Sequence, residues 1–145
     1  ASTVECAGFK RHSTGLRMKG LADCICTDDQ GYTTIPDLKT TGRGGAKEEL
    51  FRKSIDTWDY YIQAPYYLDI FGASYFVFVV VEKEPPHAVA CYNLDREALA
   101  VGRMKIDRWM EQIAECEKRG EWPAYHHGIK SISLPEWALK REMNR

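Results

Sequence analysis

The sequence predicts an α/β domain: a mixed sheet led by an antiparallel meander, with helices packed against it. Three observations predict it. The first forty residues alternate extended runs with short polar turns. Two later stretches carry apolar residues at helical spacing. Between them lies one continuous apolar run, Tyr75 to Val81. At 145 residues a single domain is expected, burying roughly 70% of the unfolded chain's surface.

Each element has its own signal. Thr3 to Arg11 reads as a strand closed by the turn His12-Ser13-Thr14-Gly15, and Leu16 to Thr27 as a second, ended by Asp28-Asp29-Gln30-Gly31. Tyr32 to Thr41 is the third, where Pro36 predicts an edge, a bulge or a strand end because proline cannot donate to a ladder. After Gly42-Arg43-Gly44-Gly45, residues Leu50, Phe51, Ile55 and Trp58 recur at helical spacing, with Lys47, Glu48, Arg52 and Lys53 outward. Tyr60 to Phe71 is a second helix, in which Pro65 predicts a kink or a first-turn position. Ser74 to Glu82 has the apolar run expected of a strand covered on both faces, and His87 to Leu94 follows it as a further strand. Asp95 is the natural N-cap of the longest helix, which stops at Gly120, with a stripe of Leu99, Arg103, Ile106, Trp109, Met110 and Ile113. The remaining tail reads as a loop with a short closing helix.

Composition narrows the function classes. Charged residues make up 28% of the chain and no apolar run approaches the ~20 residues of a spanning helix, so no membrane association is expected. The formal net charge of −1 means that nucleic-acid binding needs a local basic patch. Arg17, Lys19, Arg43, Lys47, Arg52 and Lys53 are the residues suited to phosphate contacts, and Arg43 in its glycine-rich turn is the best placed of them. That turn is not a nucleotide-binding P-loop, since no Gly-Lys-Ser/Thr follows. Five cysteines without a CxxC pair read as reduced thiols, consistent with a cytoplasmic location. His12, His87, His126 and His127 read as surface or packing residues, and Trp109, Trp122 and Trp137 as core and tail anchors. The chain opens with Ala1-Ser2-Thr3 and no basic-then-apolar leader, as a processed product or an excised fragment would.

The chemically informative residues are Asp23, then Asp37-Leu38-Lys39. Residues two apart in a strand share a face, so Asp37 and Lys39 project together, and the hairpin register can bring Asp23 opposite Asp37. Two carboxylates converging with a lysine suit Mg²⁺ or Mn²⁺ and hydrolysis of a phosphodiester. The same triplet also suits a solvated face with a cross-strand ion pair. Downstream, Gln63 and Tyr67 lie one helical turn apart, where an amide and a phenol can bind a phosphate, a base or the attacking water.

Ala22-Asp23, Asp37-Leu38-Lys39-Thr40-Thr41 and Gln63-Ala64-Pro65-Tyr66-Tyr67-Leu68-Asp69 together resemble the PDDEXK (restriction-endonuclease-like) nuclease superfamily. The resemblance is to the phage and prophage exonuclease VIII (RecE-type) branch, which shares Q-x-x-x-Y with RecB-type nuclease domains. It continues through Phe76 to Pro86, Gly120-Glu121-Trp122-Pro123 and Leu134 to Ala138. It implies Asp23, Asp37 and the Leu38 carbonyl as metal ligands, Lys39 as the catalytic lysine, and Gln63 and Tyr67 near the scissile phosphate and the DNA strand. With them, Thr40, Thr41, Arg43 and Arg52 are the expected DNA contacts. The implied activity is Mg²⁺-dependent exonucleolytic degradation of duplex DNA ends in recombination, in the cytoplasm of a bacterial or phage-infected cell, with a single-strand annealing protein as partner and a ring-shaped homo-oligomer as the assembly. An endonuclease, or a catalytically incomplete DNA-binding or assembly module, is the alternative on the same fold. The family carries helical sequence before its meander, with a histidine or glutamate that completes the metal site. Residues 1–145 are therefore expected to form one PDDEXK-like nuclease domain without that helical part.

Overall fold

The computed structural model describes residues 1–126 and 128–144. Five strands and four helices follow one another as β1 (Ser2–Arg11), β2 (Arg17–Thr27), β3 (Thr33–Thr41), α1 (Glu48–Thr57), α2 (Tyr60–Phe71), β4 (Tyr75–Glu82), β5 (Val89–Tyr92), α3 (Arg96–Arg119) and α4 (Glu136–Met143). The sheet has the order β1-β2-β3-β4-β5. Its pairs are antiparallel except β3 with β4, which are parallel and joined through α1 and α2. The mixed sheet, the leading meander and the flanking helices all match the expected fold class.

The core lies on one face of the sheet. Phe76, Phe78 and Val80 of β4 and Ile35 of β3 are buried there with Phe51 of α1 and Ala64 and Leu68 of α2. Phe51 meets Phe78 edge-on at 5.6 Å and stacks on Tyr92 at 5.2 Å. Val77, Val79 and Val81, pointing the other way, are only half buried. The apolar run of β4 is therefore covered on one face and not on both. Hydrophobicity alone cannot tell a strand between two helix layers from one whose β-branched residues line a half-open face.

Two breaks in regularity shape the sheet. The β1–β2 register is continuous except at Glu5 and Asp23, where Glu5 adopts a left-handed backbone at φ 51. On the hairpin side His12 N–H donates to Leu16 C=O, and on the far side Thr27 N–H donates to Ala1 C=O. The hydrogen-bonded pairs are thus even-numbered before the break and odd-numbered after it. Side chains switch with them: Ala22 is buried in the core and Ile25, three residues on, also packs against it. Three residues apart they would face opposite ways in an unbroken strand.

Pro36 makes the second break. It sits in the central strand rather than at an edge, directly opposite Val77. Thr33 and Thr41 accept hydrogen bonds from Ser74 and Lys83 on the β4 side. Pro36, of opposite parity, therefore turns its donorless nitrogen toward β2, and the β2–β3 ladder stops after Cys26 opposite Thr34.

The helices follow their signals with three corrections. Leu50 and Trp58, expected inward, are exposed, and Trp58 falls at the C-cap of α1. Trp109, Trp122 and Trp137 are likewise exposed and anchor no core. Pro65 lies inside α2, fully buried. It cannot donate to Tyr61 C=O, and α3 brings Gly102 against that carbonyl so closely that any Cβ at 102 would collide with it. Arg103, in the apolar stripe, pairs with Asp69 of α2 through its Nε and Nη2 at 3.0–3.2 Å. The caps of α3 form as expected: Asp95 accepts from Ala98 N–H at 2.8 Å and Gly120 closes the helix at φ 69.

Candidate active site

Asp37 and Lys39 stand on the helix-covered face of β3, because their partners in the parallel register are the buried Phe78 and Val80. Across this face runs α2, with Tyr60, Gln63 and Tyr67 on the side toward the sheet. The Gln63 amide joins the two β3 residues: its Nε2 donates to Asp37 Oδ1 at 2.8 Å and its Oε1 accepts from Lys39 Nζ at 2.9 Å. A carboxylate on one end and an ammonium on the other admit only this orientation of the amide.

Lys39 Nζ also lies 2.7 Å from Asp37 Oδ2 and 4.4 Å from the centre of the Tyr60 ring. The contact to Oδ2 is of ion-pair length but off the angle of a hydrogen bond. Oδ2 is thus a buried oxygen without a hydrogen-bond donor among the described residues. Buried carboxylate oxygens rarely stay in that state. A hard cation is a fitting partner for such an oxygen, so the residues present suit a divalent metal.

Asp23 approaches from β2. Continuing the Cys26–Thr34 register sets it across from Asp37, though the ladder itself has ended. Backbone groups of Lys19 and Leu21 point away from β1 into the opening that β3 leaves. Tyr66 donates to Lys19 C=O at 3.2 Å and Tyr67 to Leu21 C=O at 3.1 Å, replacing the missing ladder. The Tyr67 phenol is pushed above its usual pKa, first by burial and then by the negative charges of Asp37 and Asp23. Both carboxylates therefore bear on one hydroxyl. The Leu38 carbonyl has the parity of Pro36 and faces the same opening, while its side chain is exposed on the other face. Among the described residues no three or more His, Cys, Asp or Glu side chains form a metal-binding group. Two carboxylates and a carbonyl leave room for the waters that Mg²⁺ retains.

The remaining expected contacts are dispersed. Thr40 is exposed beside Leu38 on the far face, and Thr41 is half buried beneath Gly45. Arg43 is exposed and lines a shallow recess with Lys47, Glu82 and Val89. Arg52 is not brought to the cluster: it pairs with Glu48 at 2.6 Å and lines a groove of about 440 Å³ with Ile55, Asp95 and Val101. This recess is away from the carboxylates, whose chemistry makes the opening between β2 and β3 the better candidate. His12 bonds Asp107 at 3.0 Å, His87 and His126 are exposed, and His127 lies outside the described residues. The five cysteines are free thiols. Tyr60 was not singled out in the sequence, yet it lies three residues before Gln63 and seven before Tyr67, which is one helix face.

Among the described residues no helix is long and apolar enough to cross a membrane. A comparison with curated proteins found no match. Among solved structures, a protein described as a "putative exonuclease" from Eubacterium rectale superposes with a TM-score of 0.63 at 16% identity, covering 94% of this chain and 56% of its own. The protein SSO0001 aligns over 77% of this chain and 51% of its own, with 22% identity and a TM-score of 0.48. The chain thus spans about half the length of these two structures. The first of them shows a shared fold. Residues 6–135 match the model of the PDDEXK-like domain of unknown function (DUF3799), and the chain belongs to that family.

Proposed function

We propose that this domain is a metal-dependent deoxyribonuclease, an exonuclease of the exonuclease VIII type that acts on duplex DNA ends in recombination. The single observation that carries the reading is the Asp37 carboxylate, ion-paired to Lys39 at 2.7 Å and bridged to it by Gln63, its buried Oδ2 accepting no hydrogen bond among the described residues. Asp37, Asp23 and the Leu38 carbonyl would hold Mg²⁺ or Mn²⁺. When bound, the cation supplies Lewis-acid charge to the phosphate oxygens. Lys39 holds the attacking water and donates to the phosphate as negative charge builds on it. Gln63 keeps Lys39 and Asp37 in mutual register, and Tyr67, its proton donated to Leu21 C=O, holds β2 and the opening in place beside the DNA strand. Thr40, Thr41 and Arg43 flank the C-terminal end of β3 as outer DNA contacts, and Arg52 is the weakest of that set. An annealing partner and a ring-shaped assembly go with this reading.

Calorimetric titration of Mg²⁺ and Mn²⁺ into wild type and Asp37→Ala tests the metal site. Binding by the first and its loss in the second is expected, and equal affinity would overturn the assignment. Cleavage of linear duplex against covalently closed circles then separates end-dependent from internal hydrolysis. A wild type that binds DNA but cleaves neither substrate with any divalent ion would make the domain a binding module.

A further inference from the structure

The outer face of the β1–β2 hairpin has a composition that the carboxylate site does not use. Gly8 and Gly20 face α2, where a Cβ at either would meet Ile70 and Phe71. Their neighbours on both strands therefore face the other way, and residues opposite one another in the register share that face. Arg11 pairs with Arg17 and Phe9 with Lys19, with Leu21 next along β2. Phe9 is 75% exposed and Leu21 57%. No carboxylate interrupts this face; the nearest in either strand are Glu5 and Asp23, at the break in the ladder. In a chain of net charge −1, three cations around an exposed ring are a local departure from the whole.

The face is also continuous with the site. A recess of about 360 Å³ is lined by Phe9, Lys19, Leu21 and Tyr67, and the Tyr67 hydroxyl donates to Leu21 C=O, two residues before Asp23. From Arg17 to Asp23 the strand runs about 20 Å in a straight path.

We infer that this hairpin face is a binding track for single-stranded DNA leading to the carboxylate site, with Arg11, Arg17 and Lys19 on the backbone and Phe9 stacking on a base. Cations along a strand with an interleaved aromatic ring are the elements of sequence-tolerant single-strand recognition. A double helix presents its bases stacked inside and cannot use the Phe9 ring. The choice of DNA among polyanions rests on the nuclease reading; the presence of the track does not.

The test is fluorescence anisotropy of a labelled oligothymidylate in EDTA, with no metal and no turnover. Arg17→Ala/Lys19→Ala is expected to weaken binding about tenfold or more in low salt and to reduce the slope of log affinity against log salt by about 1.4, two single-strand phosphate contacts. Phe9→Ala is expected to weaken it roughly tenfold, with recovery in Phe9→Trp. Lys118→Ala, exposed in the last turn of α3, serves as the control and should bind as wild type does. These surface variants should keep the wild-type melting temperature. Unchanged single-strand affinity in the double variant would overturn the proposal, as would an equal loss for blunt duplex. Loss of self-association in sedimentation, with single-strand affinity intact, would make the face a protein interface and also overturn it. Failure of the nuclease reading is separate: a wild type that binds the oligomer tightly through these residues yet never cleaves DNA retains the track and loses the enzyme.

Discussion

The two sides of strand β3 differ sharply. Toward β4 it pairs along its length, from Thr34 opposite Tyr75 to Thr41 opposite Glu82; toward β2 it pairs only at Thr33 and Thr34. The paired side is dry and rigid, with Phe78 and Val80 fully buried and ringed by Phe51, Phe76 and Tyr60. The unpaired side holds polar groups not consumed by a ladder: the Leu38 carbonyl, the Asp23 and Asp37 carboxylates and two tyrosine hydroxyls. On the proposed reading the site takes a cation and a phosphate, which needs backbone and side-chain oxygens kept free of one another. Here one side of the strand supplies the rigidity and the other the openness, and Pro36 marks the division.

The largest effect should come from removing the cation where the two sides meet. Lys39→Ala should lower cleavage of linear duplex roughly a thousandfold or more, about 4 kcal/mol of transition-state stabilisation, while DNA affinity stays near wild type. Single-turnover assays with a binding control measure both. Next comes the rigid side. Gly102→Ala should cost roughly 3 kcal/mol in urea unfolding, because its Cβ has no space against the Tyr61 carbonyl and the Pro65 ring. A cost below about 1 kcal/mol would show that α3 can move away from α2 without loss.

Tyr67→Phe should be milder, about 1 kcal/mol from the lost bond to Leu21, with the ring still packed against Phe76. Its sharper signature is pH dependence. A phenol with a raised folded-state pKa binds its proton more tightly when folded. Its contribution is whole below the ordinary tyrosine value near 10 and is lost as pH rises through the folded value. The phenylalanine variant should therefore lose less stability between neutral and strongly alkaline pH, measured by melting across that range. The smallest effect is expected from Pro36→Val. Restoring an N–H toward β2 should shift stability by under about 1 kcal/mol, and hydrogen exchange at residue 36 reports whether the opening narrows. Strong protection together with reduced cleavage would tie the opening to function; fast exchange would show that proline is not what holds the strands apart.

Much of this was determined by local sequence. Turn residues bounded β1, β2 and β3, Asp95 and Gly120 bounded α3, and the two-residue period put Asp37 and Lys39 on one face. Helical spacing likewise set Gln63 and Tyr67 on one side of α2. These follow from short-range backbone geometry, which a few neighbouring residues decide by themselves. Only the tertiary structure decided what covers each face. The apolar run of β4 is compatible with one helix layer or two, and packing chose one. Periodicity pointed Trp58 and Trp109 toward a core that does not extend to them. The Tyr60 ring over Lys39 depends on how α2 lies across the sheet, as does the Gln63 bridge from Asp37 to Lys39. The switch of facing at Asp23 depends on a distortion in the neighbouring strand, at Glu5, eighteen positions away along the chain. A residue's own neighbours specify which way its side chain points; what it meets there is set by elements distant in sequence, and the chemistry of this site lies in those meetings.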